Sequence, residues 1–153
     1  DDLSMLYITH NLGVARKIAD KIYVMYAGSI AESGPTETLF DAPLHPYTRG
    51  LLDSIPKLTG FESEGIDGSI PNYTDPPSGC RFHPRCPAYM EGTCDGGNPE
   101  PFDVDDDHEV ACYLYEDEPS TSEAMEVADA EIQYRRPQRA KARRDGGGEN
   151  DGD

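Results

Sequence analysis

The chain has 153 residues, 36% of them hydrophobic, and 30 Asp and Glu outweigh 13 Lys and Arg to give a formal net charge of −17. Such a field repels duplex DNA and anionic headgroups, so a nucleic-acid partner is not expected. No run of about 18 apolar residues is present, which argues against a bilayer-crossing helix. Asp1-Asp2-Leu3 is neither a start Met nor a signal peptide, so the chain reads as a piece whose beginning is missing.

Leu3 to Thr9 is a short apolar, aromatic and β-branched run, which predicts a buried strand ending at His10. Asn11 is a good N-cap, and Leu12, Val14, Ala15, Ile18 and Ala19 recur at helical spacing behind it. Lys21 to Ala27 predicts a second strand, with Gly28-Ser29 as a tight hairpin turn into Ile30-Ala31-Glu32. Gly34-Pro35 closes that strand, and Thr36 is placed to cap a short helix through Phe40. A further helix is predicted after His45, with Pro46 in its first turn, Tyr47, Leu51 and Ile55 on one apolar face, and Pro56 as its stop. Residues 57–79 read as a connecting loop. From Asp95 to Glu131 there are 14 acids and no Lys or Arg, with one helix expected around Ser122–Glu131. Arg135 to Arg144 carries six bases, and the last twenty residues read as disordered.

A histidine at the C-terminal end of a buried strand lies where open α/β sheets place their chemistry. Its imidazole can donate to a phosphate oxygen and accept from an attacking water. The strings Leu6-Tyr7-Ile8-Thr9-His10-Asn11-Leu12-Gly13-Val14-Ala15 and Ala19 to Gly28 resemble the end of an ABC-transporter ATPase domain. The resemblance implies that His10 is the switch histidine that senses the γ-phosphate of ATP and helps hold the attacking water. Asn11 stands where that family usually has Asp. Pro43 to Pro56, Ile66 to Pro71, Pro76 to Pro87 and His108 to Cys112 resemble the C-terminal extension of oligopeptide and dipeptide importer ATPases. The resemblance covers residues 3–115. The sequence contains no G-x-x-x-x-G-K-[ST] phosphate loop, no short Gly-rich signature and no catalytic carboxylate at a strand end. Since phosphoryl transfer needs metal, Lys and water positioned together, the chain as given is not expected to hydrolyse ATP.

Cys80, Cys86, Cys94 and Cys112 are separated by 5, 7 and 17 residues, so no pair forms a close C-x₂₋₄-C knuckle. Four thiolates on Gly- and Pro-rich loops can surround a cluster wider than a single ion, and the spacing resembles the 4Fe–4S site of some dipeptide-importer ATPases. Zinc is the alternative, followed by disulfides or free thiols. Arg81 and Arg85 are candidates to offset cluster charge, and His45, His83 and His108 are spare nitrogen ligands. The acid-rich composition resembles that of extreme halophiles, where salt screens self-repulsion.

The expected fold class is α/β: the C-terminal fragment of an ABC-type P-loop ATPase domain, then a small irregular Cys-rich module and a disordered tail. The expected division is 1–42 for the end of the ATPase domain, 43–75 for a helical extension and linker, 76–115 for the four-Cys module, and 116–153 for an acidic then basic tail. What the resemblance implies is the C-terminal portion of the ATP-binding subunit that energises peptide import, with ATP and Mg bound only by the complete subunit. Its implied partners are a second ATPase subunit (identical or not), transmembrane permease subunits and, indirectly, an extracytoplasmic peptide-binding protein. The implied location is peripheral, on the cytoplasmic face of the cell membrane. The rival reading is a free-standing, non-catalytic metal-binding interaction module.

Overall fold

The structure is a computed structural model, and it describes residues 3–55, 65–66, 68–72, 74–105, 107–116, 120 and 122–130. Helix α1 (Leu12–Ile18) leads into strands β1 (Lys21–Tyr26) and β2 (Ser29–Pro35), then helices α2 (Thr36–Asp41) and α3 (Pro46–Asp53). Strands β3 (Phe102–Asp105) and β4 (His108–Val110) follow, and a 3₁₀ turn covers Tyr113–Tyr115. Residues 122–130 form a further helix, α4. The four strands make one antiparallel sheet in the order β1-β2-β4-β3. The fold is thus a small antiparallel sheet with short helices around it.

The N-terminal half of the sheet is built by local chemistry. Asn11 Oδ1 accepts from Val14 N, so the expected N-cap starts α1. The β1–β2 turn falls on Ala27-Gly28, one residue before the expected place, with φ of 48° and 84°. Both central residues are left-handed, which matches the twist of a two-residue hairpin better than an ordinary turn would. Thr36 does not cap α2; it is the first helical residue, and its hydroxyl donates to Ala19 O at 2.6 Å. That bond, with Thr36 N to Asp20 O at 3.0 Å, ties the start of α2 to the α1–β1 link. His45 Nδ1 accepts from Tyr47 N, and Pro46 occupies the first turn of α3.

Three sequence expectations are corrected. Residues 3–9 carry no regular secondary structure and are not a buried strand: Leu3 and Ile8 are 90% and 91% exposed. A strand is completed by its neighbours' N–H and C=O groups, and the sheet's four described strands lie elsewhere. The acidic stretch 102–110, read without strands, supplies β3 and β4, and Glu32 and Ser33 of β2 pair with Val110 and Glu109 of β4. Within the expected tail, α4 packs instead of floating. Ala124 and Ala128 are fully buried in one core cluster with Leu44, Val104, Val110, Cys112 and Tyr115. Residues 131–153, including the basic run Arg135 to Arg144, and Pro56 lie outside the described residues. Among the described residues, no helix is long and apolar enough to cross a membrane.

A second apolar cluster holds the loop that carries the first three cysteines. Phe82 meets Tyr26 edge-on at 5.2 Å between ring centroids, and Tyr47 lies 4.6 Å from Tyr26 and 5.4 Å from Phe82. Such offset and tilted ring pairs add to plain area burial by about 1 kcal/mol each. The loop is therefore packed onto β1 and α3.

Candidate functional site: four cysteines at one cavity

All four cysteines are free thiols, and all four border one small cavity together with His45 and His83. Ala88, Met90, Pro99 and Leu114 supply apolar walls. The lining comes from three segments: the loop from Cys80 to Pro99, His45-Pro46 at the start of α3, and Cys112-Tyr113-Leu114. The cavity offers about 10 Å³ to the centre of a water molecule, near the lower limit for holding a single water. Among the described residues, no group of three or more His, Cys, Asp or Glu is set to hold a metal ion.

Local bonds explain how the loop brings three thiols to the cavity. Cys80 N donates to Cys94 O at 2.8 Å, closing the loop on itself. Gly79 permits this approach: its φ is +67°, and a Cβ there would collide with Cys94 O. Successive turns from Cys80 to Cys86 are held by His83 N to Cys80 O at 2.9 Å and Cys86 N to His83 O at 3.2 Å. Cys112 arrives separately, two residues beyond the end of β4.

The thiols influence one another. Burial pushes the Cys112 thiol well above its ordinary pKa, and the nearby Cys86, Cys80 and Cys94 push it further. Burial also raises Cys80, reinforced by Cys94 and offset in part by backbone N–H groups of Phe82 and His83. Without a cation, these groups are thiols at neutral pH and poor nucleophiles. Burial lowers the His45 imidazole to about 4, although Glu32 nearby favours its charged form.

The charged neighbours are placed otherwise than their sequence positions suggest. Arg81 Nη1 donates to Ala27 O in the hairpin turn, and Arg85 reaches Ile66 O at 2.8 Å and Tyr26 Oη at 3.5 Å. Neither arginine lines the cavity; both fasten the cysteine loop to the β1–β2 hairpin. Of the three spare histidines, His45 and His83 line the cavity. The His83 ring stacks on Tyr89 at 5.4 Å, and its Nδ1 lies 3.0 Å from Cys80 O. His108 does not line it: its Nε2 lies 2.9 Å from Glu32 Oε1, with both side chains buried. His10 stands at a bend between the exposed run and α1, exposed to solvent and far in sequence from the cysteines.

Glu32 is the residue that sequence reasoning missed. A single carboxylate in a strand reads as a solvated side chain, yet Glu32 is 1% exposed. Its Oε1 and Oε2 accept from Leu44 N at 2.8 Å and His45 N at 2.9 Å, besides the bond with His108. The available signal was Gly34, two residues on along the same face. A Cβ there would meet His108 Cδ2 at 3.1 Å, so β2 makes room for a ring beside its carboxylate.

Comparison with known proteins adds to this geometry. Residues 31–94 match the family model described as the oligopeptide/dipeptide transporter, C-terminal region. A dipeptide transport ATP-binding protein of Caldanaerobacter subterraneus is 43% identical over 117 residues, 75% of this chain and 36% of that protein. A dipeptide transport ATP-binding protein of Bacillus subtilis is 46% identical over 115 residues, 74% of this chain and 34% of its own length. A putative peptide import ATP-binding protein of Brucella abortus is likewise 46% identical over 114 residues, covering 74% and 34%. The chain thus spans about a third of the length of these relatives. Residues 31–94, which include most of β2, all of α2 and α3 and three of the four cysteines, are thus similar to the oligopeptide/dipeptide transporter C-terminal region.

Proposed function

We propose that this chain is the C-terminal portion of an ATP-binding subunit that energises peptide import. The observation that carries the reading is 43–46% identity to peptide-import ATP-binding proteins over three quarters of the chain. The exposed apolar run from Leu3 to Ile8 supports it, because a run of this composition suits a strand buried in a larger sheet. ATP and Mg belong to the complete subunit, and His10 is this chain's contribution to the γ-phosphate and the attacking water. The partners are a second ATP-binding subunit and membrane permeases, with an extracytoplasmic peptide-binding protein acting through them. The location is the cytoplasmic face of the membrane. The proposed division is an ATPase end at 1–42, an extension at 43–75, a four-Cys module at 76–115 and a tail at 116–153, to which α4 adds a packed helix.

In the complete protein, His10→Ala should leave ATP binding within about tenfold and lower turnover by about 100-fold, the scale of a lost positioned catalytic group. Turnover at the unsubstituted rate overturns the role of His10.

The four cysteines are proposed to hold a 4Fe–4S cluster, with zinc as the alternative. The donor set fits, since four thiols border one apolar cavity and stand within electrostatic reach of one another. Since no group among the described residues is set to hold an ion as it stands, loading would be coupled to local rearrangement. When bound, the cluster would cross-link the Cys80–Cys94 loop to Cys112, adding to the apolar packing that already holds the loop. Anaerobically purified protein should be brown and contain about four iron per chain. Replacing Cys80, Cys86, Cys94 or Cys112 singly by Ser should remove most of the colour. One zinc and no iron selects the alternative, and two disulfides with no metal remove both.

A further inference from the structure

The cavity is lined by segments far apart in sequence. Three thiols sit on the loop from Cys80 to Cys94, which closes on itself through Cys80 N and Cys94 O. The rest of the lining includes two separate pieces: His45 at the start of α3, and Cys112 beyond β4. The position of the fourth thiol relative to the other three therefore depends on what joins these two pieces.

Glu32 joins them. Its carboxylate accepts from Leu44 N and His45 N on the first piece and is bonded to His108 Nε2 on the second, all within 2.8–2.9 Å. His108 begins β4, which ends at Val110, two residues before Cys112, and Val110 pairs directly with Glu32 in the sheet. Gly34 leaves the space in which the His108 ring lies against β2. One further bond, from Tyr115 Oη to Leu44 O at 2.5 Å, ties the segment just after Cys112 to the start of α3. A carboxylate taken out of water is tolerated here because donors meet both of its oxygens. Removing it leaves two backbone N–H groups and an imidazole without their acceptor, and the two pieces lose their common anchor.

We propose that Glu32 is the positioning residue of the four-cysteine site, holding Cys112 and His45 in place beside Cys80, Cys86 and Cys94 through His108 and the backbone of Leu44 and His45. The proposal rests on the reading of the four cysteines as a metal or cluster site. Residues that orient ligands through hydrogen bonds commonly carry 10–100-fold in metal affinity.

The test uses the full 153-residue chain as Glu32→Ala, Glu32→Gln and His108→Ala, in two measurements. The first, on metal-free reduced protein, is the alkylation rate of each cysteine by iodoacetamide, resolved by peptide mass spectrometry. Glu32→Ala and His108→Ala should speed Cys112 about tenfold or more while Cys80, Cys86 and Cys94 stay within about twofold, and Glu32→Gln, which keeps one acceptor oxygen, should fall between. The second is anaerobic reconstitution with ferrous iron and sulfide, where Glu32→Ala should weaken loading at least tenfold and Glu32→Gln should restore part of it. If Glu32→Ala loses its circular dichroism spectrum, His108→Ala decides, since it leaves the bonds of Leu44 N and His45 N in place. Unchanged Cys112 labelling, or equal acceleration of all four cysteines, overturns the proposal. Failure of the unsubstituted chain to take up iron or zinc overturns the metal reading instead, and the labelling contrast still decides whether Glu32 positions Cys112.

Discussion

In residues 3–18, Leu3, Leu6 and Ile8 are 90%, 85% and 91% exposed and α1 buries none of its seven residues, whereas Leu39, Leu44 and Val110 in the body of the molecule are wholly buried. Residues 3–18 are the richer in apolar side chains, 9 of 16 against 36% for the whole chain, so partners and not composition decide the burial. The body closes on itself through a sheet of four strands, an aromatic cluster and a buried carboxylate. The N-terminal limb has a correct helix cap and a link to α2 through Arg16 and Glu37 at 2.8 Å, but that ion pair is exposed and stabilises little. Local signals thus start elements, and only a partner surface buries them.

The sharpest way to break this comparison is to remove one large side chain from each region. Phe82→Ala should cost the body about 3–5 kcal/mol in urea unfolding, because the ring is enclosed by Tyr26, Tyr47 and His45. Leu6→Ala should stay within about 0.5 kcal/mol, as expected of an exposed site. Equal effects would show that the limb is packed after all.

A smaller effect comes from pH and belongs to the body alone. Folded His45 binds a proton only near pH 4, against about 6.5 when unfolded, mainly because it is buried. As pH falls below 6.5 the unfolded chain takes up a proton that the folded chain refuses, so stability is full above 6.5 and declines until about 4. Glu32, which faces His45 and favours its charged form, works against this decline. The loss should reach about 3 kcal/mol, the free energy of a shift of that size. Urea midpoints at pH 7 and pH 5 measure it. His45→Asn, which keeps an acceptor for Tyr47 N, should flatten the pH dependence, and an unchanged slope would remove His45 as its source.

Salt is expected to act most weakly, and over the whole surface. With a net charge of −17, dialysis from molar salt to about 10 mM, where the screening length is about 30 Å, should lower the helical circular dichroism signal. Screening of self-repulsion is the physical basis of the compositional resemblance to extreme halophiles, and an unchanged spectrum removes it.

Much of the fold could be read where one residue decides a local geometry. Asn11 caps α1, His45-Pro46 opens α3, and the hairpin is present although its turn is one residue early, since Ala27 accepts a left-handed φ ahead of Gly28. The helix expected around residue 122 is present too, but not the reason for its burial, which lies in Leu44 and Val110, residues remote in sequence. β3 and β4 were illegible because strands of four and three residues in an acid-rich stretch carry too little alternation to stand out. Of the site, the four cysteines were evident as residue types, and the structure brings them to one cavity. The roles of Arg81, Arg85 and His108 were not, because each is set by a partner from another segment: Ala27, Tyr26 and Glu32.

By itself the sequence determined the charge, the caps, the proline and glycine boundaries and the donor set of four thiols, all properties of single residues or near neighbours. Only the tertiary structure decided that Glu32 is buried, that His108 serves it rather than the cavity, and that Cys112 joins the other three cysteines at one cavity. The physical reason is that a buried carboxylate is tolerable only when its donors are already in place. For Glu32 those donors come from residues 12, 13 and 76 positions away in the chain.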